Sequence, residues 1–414
     1  MIHQPPVGAR DLFPLDVAQK HWIEARLQDV FHRWGYHRII TSTLERLDTL
    51  MAGGAIQRST VIQLHDTENE VLGLRPELTA SIARAAVTRM AGMDQSQLPQ
   101  RLYYCANVFR RAARGSHNRQ QEAYQAGVEL LGGGGVAANA EILLLVSHCL
   151  ASLGLTQWRL ILGDAGLTRS LLSPFPDSCR DQVREAIATL NRIGLDALSL
   201  PPDLYQRALM LLDLRGRPAD VLERVSRLDL TPTQRQMVSE LKSLVELINE
   251  TVVGSKTEMD SPITLDLSLI QSFDYYTGLV FEVVNVGATG QHVLGQGGRY
   301  DQLLGLYHPH GKTYPGIGFV LNIEDLHQVL LPTGQLPDQT PSSHWLIVPV
   351  SSQAFAAAFA YAQKLRQSTH VVRVEVELGH HPSQESIRDY ARQRSIQQIA
   401  WVSDTDAPQI EQLH

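Results

Sequence analysis

The stretch LIQSFDYYTGLVFEVV, residues 269–284, joins an acid and two adjacent tyrosines to an apolar run. Its second part, Leu279–Val284, is rich in β-branched and aromatic side chains, which predicts a strand. Asp274, Tyr275 and Tyr276 therefore stand just ahead of that strand. Paired aromatic residues are common in strands, so these tyrosines are either core residues at a sheet edge or side chains that face a ligand.

The bulk composition is that of a folded protein with a large core. The chain has 414 residues, of which 43% are hydrophobic, and this length predicts about two or three domains. Its net charge of −7 argues against a broad nucleic-acid-binding surface. No apolar run reaches the roughly 18 residues of a membrane span, and the N-terminus lacks a signal-peptide pattern. The three cysteines are scattered, so we expect a soluble, cytoplasmic α/β protein without a disulfide framework or zinc site.

Hydrophobic periodicity predicts a first domain over residues 1–330. It begins with a helix over 15–36 and contains a helical insertion at about 166–255. The segments RLYYCANVFRR and EAYQAGVELLG read as two strands around a polar, arginine-bearing loop, which predicts a hairpin.

The rest of the chain follows a proline-containing linker, 331–343. Residues 344–414 alternate strand and helix, which predicts a small, largely parallel α/β domain. Two histidine pairs, His308/His310 and His380/His381, lie in Gly- and Pro-rich turns without obvious carboxylate or cysteine neighbours. We interpret them as solvated loop histidines, and we predict neither a metal nor a cofactor.

Polar residues on the strand EAYQAGVELLG mark a candidate site. A period of two places Gln125, Gly127 and Glu129 on one face. This face is either a gap with polar walls or the wet side of an ordinary amphipathic strand. Two further polar residues, Glu77 and Thr79, precede a short helical run. They either join that site or simply mark the start of a helix.

Together the motifs resemble the histidyl-tRNA synthetase family and its non-synthetase relatives from residue 7 to about 326. A Gly-rich turn between strand and helix is predicted in the motif HVLGQGGRYDQLLG. The resemblance is carried, in order, by VGARDLFP, LRPELTASIARA, VFRRAARGSHNRQQEAYQAGVELLG, FDYYTGLVFE, GQGGRYDQLLG and GIGFVLNIEDL. It implies an α/β (α+β) fold of the class II aminoacyl-tRNA synthetase type. That fold has a mixed, mainly antiparallel sheet flanked by helices, dimerises through its N-terminal region, and here ends in a tail like a truncated anticodon-binding domain.

Three positions depart from the synthetase pattern. Arg110 keeps the arginine of the hairpin motif, a candidate phosphate contact, but Ala112 replaces its acid. Gln271 stands where the family carries a catalytic arginine, and Asp325 replaces the arginine of the last motif. Loss of one cation that stabilises a transition state costs about 3 kcal/mol, or roughly two powers of ten in rate. The resemblance therefore implies a scaffold that does not activate an amino acid with ATP.

The side chains that hold histidine in the family are mostly retained. The resemblance assigns Glu77, Thr79 and Gln125 to the α-ammonium group, and Glu129 and Tyr276 to the imidazole nitrogens. Tyr275 and Tyr300 belong to the same predicted site. These residue types fit the ligand, because an ammonium needs acceptors and a carboxylate, and an imidazole is read by a group at each nitrogen.

A chain that binds histidine without activating it resembles the regulatory subunits of ATP phosphoribosyltransferase. In that family a non-catalytic chain joins a catalytic subunit in a hetero-oligomer that performs the first step of histidine biosynthesis, and L-histidine is the feedback inhibitor. Two alternatives remain, a working histidyl-tRNA synthetase and a synthetase-like module that binds tRNA or senses stress. The missing catalytic groups argue against the first, and the short tail and net charge of −7 argue against the second.

Overall fold

The computed structural model describes residues 4–54, 56–90, 98–111, 120–252, 262–269, 275–287, 290–379, 381 and 383–413. The chain divides into two compact units, Met1–Leu12 with Gln19–Leu336 and Phe13–Ala18 with Pro337–His414. Ala112, Gln271 and Asp274 lie outside the described residues, and so does most of the hairpin loop.

Up to Leu336 the chain mixes helices and strands. Residues 165–252 contain six helices and one two-residue strand. The helices are α1 (Pro14–Arg33), α2 (Leu47–Met51), α3 (Thr79–Met90), α4 (Gly135–Ser152), α5 (Ala165–Leu172), α6 (Asp177–Ala188), α7 (Arg192–Ala197), α8 (Pro202–Leu212), α9 (Pro218–Ser226), α10 (Pro232–Val252), α11 (Leu303–Tyr307) and α12 (Ile323–Leu330). The strands are β1 (His37–Arg38), β2 (Leu44–Arg46), β3 (Gln63–His65), β4 (Val71–Leu74), β5 (Gln100–Phe109), β6 (Glu122–Leu131), β7 (Trp158–Asp164), β8 (Arg215–Gly216), β9 (Ile263–Asp266), β10 (Leu279–Gly287), β11 (Gly290–Arg299) and β12 (Gly316–Asn322).

A nine-stranded sheet organises this unit in the order β1-β5-β6-β12-β11-β10-β7-β9-β8. Its neighbours are antiparallel except for the pairs β1/β5 and β7/β9. The predicted hairpin is β5 paired with β6, and the predicted strand after the two tyrosines is β10. The predicted fold class, a mainly antiparallel sheet flanked by helices, is confirmed. A separate small sheet has the order β2-β4-β3.

The two faces of the large sheet bury different side chains. Alternation along β6 directs Val128 and Leu130 into the main core, where they join apolar residues of α1 and α4 such as Leu27 and Leu143. The opposite face carries a smaller cluster with α3, in which tyrosines are prominent. The polar residues predicted to share one face of β6 lie on this second side.

One helix corrects the expectation that no apolar run is long enough for a membrane span. α4 (Gly135–Ser152) has 18 residues with a mean hydropathy of 1.4, so by length and composition it could cross a bilayer. Half of it is buried inside the protein, and its apolar residues contribute to the main core. A core helix of a globular protein has these same properties.

The second unit contains a four-stranded sheet in the order β14-β13-β15-β16. Its elements are β13 (Trp345–Pro349), α13 (Phe355–Arg366), β14 (Val374–Val376), α14 (Gln384–Gln393), β15 (Gln398–Val402) and β16 (Gln409–Gln412). A short 3-10 turn lies at Ser352–Ala354 in this unit. Two others, Arg58–Thr60 and Leu331–Thr333, belong to the first unit. β13 pairs in parallel with β14 and β15, whereas the final strand, which the sequence pattern did not indicate, pairs antiparallel with β15.

Three local expectations were wrong. The Gly-rich segment predicted as a turn is the interior of β11, which runs to Arg299. His308 is buried, 8% exposed, and its ring lies 5.9 Å from that of Tyr314, so it is not a solvated histidine. His381 does have a carboxylate partner, because its Nδ1 lies 2.7 Å from Oε2 of Glu377. Within the described parts of the chain, no group of three or more His, Cys, Asp or Glu side chains could hold a metal ion.

Candidate functional site

A pocket lies on the tyrosine-rich face of the large sheet. Its cavity volume is about 30 Å³, which is room for roughly two water molecules. Eight residues singled out from the sequence line it: Glu77, Thr79, Arg110, Gln125, Glu129, Tyr275, Tyr276 and Tyr300. The fold thus brings together motifs that are far apart in the chain.

Glu77 caps the N-terminus of α3 from inside the pocket. Its Oε2 accepts the backbone N–H of Thr79 (2.6 Å), and its Oε1 accepts that of Ala80 (2.8 Å). Burial raises the pKa of Glu77, while these two hydrogen bonds and the nearby Arg110 lower it. The two interpretations of this segment therefore both hold, since one carboxylate starts a helix and also forms a wall of the pocket.

Glu129 lies deep in the pocket and is 2% exposed. Its Oε1 accepts the hydroxyl of Thr79 (2.8 Å), and its Oε2 accepts the hydroxyl of Tyr300. Burial raises the pKa of Glu129 to about 8; the hydrogen bonds from Tyr300 and Thr79 lower it, and nearby Glu77 raises it. The pocket therefore presents two buried carboxyl groups that hydrogen-bond with hydroxyl groups.

Three tyrosine rings form one side of this deep region. The rings of Tyr275 and Tyr276 meet edge to face with centroids 4.9 Å apart, and those of Tyr275 and Tyr300 lie 5.9 Å apart. The guanidinium of Arg169 donates to the backbone carbonyl of Tyr276 (3.2 Å) and so fixes the segment that leads into β10. Burial raises the pKa of all three tyrosines, so their hydroxyls stay protonated and can donate hydrogen bonds.

Gln125 connects the pocket to the start of α12. Its Nε2 donates to Oδ1 of Asn322 (3.0 Å), and Asn322 in turn hydrogen-bonds with the carboxylate of Asp325. Asp325 is not among the described residues that line the pocket. It lies in the first turn of α12 next to Glu324, whose carboxylate accepts the backbone N–H of Tyr124.

Six further lining residues were missed in the sequence: Leu78, Tyr104, Gln296, Gly318, Phe319 and Val320. A signal existed for the glycine, because a glycine inside a strand often marks a close approach of another group. A Cβ at Gly318 would collide with Oε2 of Glu129. Gly298 in β11 acts similarly, since its Cβ would lie 2.6 Å from Cε1 of Tyr276. Glycines at these points of the sheet therefore leave room for the side chains that form the pocket.

The arrangement is chemically suited to a small molecule that carries nitrogen donors. Two buried carboxylates, a glutamine and several hydroxyls can accept hydrogen bonds from ammonium or ring N–H groups. Arg110 adds one positive charge at the exposed end of β5.

Comparison with known proteins gives the family. Residues 8–326 match the histidyl-tRNA synthetase family. A protein of Nostoc punctiforme named "ATP phosphoribosyltransferase regulatory subunit" is 64% identical over 413 residues, which are 100% of both chains. A Bacillus halodurans structure described as "ATP phosphoribosyltransferase regulatory subunit/histidyl-tRNA synthetase" has 26% identity and a TM-score of 0.79, with 98% of this chain and 100% of that chain covered.

A histidyl-tRNA synthetase structure from a Nostoc species has 18% identity and a TM-score of 0.77, with 99% of this chain and 94% of that chain covered. At this identity the likeness concerns the fold, which is that of a class II synthetase. The identity to the Nostoc punctiforme protein, by contrast, extends over the whole chain. The chain therefore belongs to the family of ATP phosphoribosyltransferase regulatory subunits, which is built on the histidyl-tRNA synthetase fold.

Proposed function

We propose that this chain is the non-catalytic regulatory subunit of ATP phosphoribosyltransferase. It joins the catalytic subunit in a hetero-oligomer, supports the first step of histidine biosynthesis and makes that step sensitive to histidine. The observation that carries the proposal is the 64% identity over full length to a protein with that name. A working synthetase is not favoured, because full-length relatives that are 62% to 64% identical are named ATP phosphoribosyltransferase regulatory subunits.

L-Histidine is the proposed effector, and the tyrosine-rich pocket is its proposed site. The imidazole lies between Glu129 and Tyr276 at the deep end, with Tyr275 and Tyr300 around it. The α-ammonium group lies near Glu77, Thr79 and Gln125. Support comes from the burial of both carboxyl groups and from the number of hydrogen-bond acceptors. A ligand with an ammonium group and an imidazole ring requires such acceptors.

Regulation then follows from differential affinity. Histidine can inhibit the partner only if it binds more tightly to an assembly state in which that partner is less active. The pocket is formed by strand β6, helix α3 and the segment that precedes β10, so a ligand that contacts all three can change their relative positions. We also propose that two copies of the synthetase-like unit form a dimer and that the complex is cytoplasmic.

Co-purification tests the proposal directly. The tagged chain is co-expressed with the catalytic subunit of the same organism, and phosphoribosyl transfer to ATP is measured for each subunit alone and for the complex. We expect co-elution, activity that depends on both subunits, and inhibition by L-histidine. A catalytic subunit that is fully active and fully histidine-sensitive without this chain would contradict the proposal.

A further inference from the structure

A groove on the helical insertion shares no described lining residue with the tyrosine-rich pocket. Its cavity volume is about 560 Å³, within the range of roughly 300–1,000 Å³ that is usual for ligand sites. Helices α7, α8 and α9, together with the residues that follow α8 and α9, form its walls. The insertion therefore carries a concave surface that the proposed histidine site does not use.

The floor of the groove is apolar. Leu209 and Leu212 of α8 and Leu228, which follows α9, are half-buried and pack against the main core. Met210 is half-buried in the same lining but is not among the described hydrophobic residues that pack against that core. Close to it in the chain, Ile193 of α7 is 83% exposed. Apolar side chains gathered at a concave surface are typical of an interaction site.

The rim of the groove is positively charged. Among the described lining residues are three arginines, Arg192, Arg224 and Arg227, and one acid, Asp213. Nη1 of Arg224 donates to the backbone carbonyl of Asp213 (3.1 Å), which holds this guanidinium against the wall. Arg192 donates to the hydroxyl oxygen of Tyr205. The arginines outnumber the acid, so the rim has an excess of positive charge above the apolar floor.

The arginines of the rim can change partners at little cost. Nη2 of Arg227 lies 2.5 Å from Oε1 of Glu223, one turn earlier in α9, and the two side chains are 73% and 64% exposed. Such exposed ion pairs add little stability, because water screens both charges. A carboxylate that arrives together with apolar groups displaces water, which strengthens its attraction to the guanidinium. An incoming segment therefore gains most if it presents acidic and apolar side chains together.

We propose that this groove docks an acidic, amphipathic helix of the catalytic subunit. The inference rests on the proposed function, since it takes that subunit as the partner. The apolar face of the helix covers Leu209 and Met210, as it does when a helix lies in a groove. Carboxylates on its flanks pair with Arg192, Arg224 and Arg227. The insertion thus serves assembly of the complex, whereas the tyrosine-rich pocket serves its regulation.

Charge reversal tests the rim. Association of the purified full chain with the catalytic subunit is measured by surface plasmon resonance at low and high salt, for wild type and for Arg224→Glu/Arg227→Glu. The affinity should fall about ten- to a hundredfold, mainly through slower association, and the loss should shrink in high salt. Arg235→Glu is the matched control and should bind as wild type. This arginine is also exposed on the insertion but is absent from the described groove lining.

A polar substitution tests the floor. Met210→Gln keeps the length of the side chain and removes its apolar character, so binding should weaken about five- to twentyfold at either salt concentration. A photo-crosslinking residue in place of Gln206, which is exposed in the lining, should link to a segment of the catalytic subunit rich in Asp and Glu. Histidine affinity, measured by calorimetry, should stay unchanged in every variant, since the groove and the histidine pocket share no described lining residue.

Each failure has its own meaning. Wild type that does not bind the catalytic subunit overturns the proposed function and this inference with it. Wild type that binds while Arg224→Glu/Arg227→Glu and Met210→Gln bind equally well overturns the docking site alone, as does a crosslink from position 206 to a segment without acidic residues.

Two further results are decisive. If charge reversal also abolishes histidine binding, that variant is misfolded, and equal binding of Met210→Gln and wild type then overturns the docking site. If charge reversal leaves the partner bound but abolishes binding to anionic vesicles or to RNA, the groove belongs to a membrane or a nucleic acid and the proposal is overturned.

Discussion

The deep end of the pocket and the reacting end of the synthetase pattern differ in how much of a synthetase this chain retains. At the deep end, Glu129 and its hydroxyl partners Thr79 and Tyr300 form a buried, hydrogen-bonded group. The reacting end of the synthetase pattern carries two arginines, whereas this chain has Gln271, which lies outside the described residues, and Asp325, which does not line the described pocket. Recognition of an amino acid and its activation use different side chains of one scaffold, so the second can be lost while the first is kept.

The largest expected effect concerns the reacting end. Histidine-dependent exchange between ATP and pyrophosphate should stay at background, because two transition-state cations are missing and the loss of even one lowers the rate by about two powers of ten. The measurement compares this chain with a working histidyl-tRNA synthetase at equal concentration. Asp325→Arg alone should not restore exchange, since groups that act together on one phosphate chain are not additive. Clear exchange by the wild-type chain would show that the reacting end is still functional, and the difference between the two ends would then not exist.

The second effect concerns the deep end. Glu129→Ala should weaken histidine binding by about 1.5–3 kcal/mol, the usual contribution of a hydrogen bond that involves a charged group. Calorimetry measures the change, and Glu122→Ala is the matched control, because this glutamate lies at the other end of β6 and outside the described pocket lining. Equal affinities of Glu129→Ala and wild type would exclude Glu129 from the site.

A third, smaller effect separates binding from assembly. Tyr276→Phe keeps the ring that packs against Tyr275 and removes only the hydroxyl. The complex with the catalytic subunit should assemble and catalyse normally, yet need about three- to tenfold more histidine for half-inhibition, as expected for one neutral hydrogen bond. Tyr307→Phe provides the control, since its hydroxyl donates to the carbonyl of Thr49 and the residue is not among the described residues that line the pocket.

Two results of that experiment would contradict the prediction. Loss of assembly in Tyr276→Phe would mean that the hydroxyl supports the core, which is the simpler interpretation of paired aromatic residues. Unchanged inhibition with intact assembly would place the effector site elsewhere, most plainly on the catalytic partner.

Much of the pocket could be predicted because its residues follow local rules. A period of two brings Gln125 and Glu129 to one face of β6, and an acid before α3 marks the start of a helix. What joins these pieces is the placement of β12 between β6 and β11, which depends on contacts between distant segments and leaves no local pattern.

The interior glycines of β11 show why the remainder escaped prediction. Glycine has a low propensity for strands, so GQGG resembles a turn when it is judged by itself. In the sheet, Gly298 faces the ring of Tyr276 and Gly297 that of Phe281, and a Cβ at either position would collide with the ring. Tertiary packing across β10 and β11 thus overrides the local preference.

The last expected effect is a pH dependence that arises from the burial of Glu129. Its pKa rises from 4.5 to about 8 in the folded chain, chiefly because burial disfavours the charged form. Between these two values the unfolded chain has released the proton while the folded chain retains it, so the free energy of unfolding falls as the pH rises.

Glu129→Gln cannot lose a proton, and its amide oxygen can still accept a hydrogen bond from the hydroxyl of Thr79 or Tyr300. The melting temperature of wild type, measured without histidine, should therefore fall by a few degrees relative to Glu129→Gln from about pH 4.5 to about pH 8. If the melting temperatures of the two proteins instead change in parallel over that range, Glu129 is already ionised in the empty pocket, and the hydrogen bonds from Thr79 and Tyr300 outweigh the effect of burial.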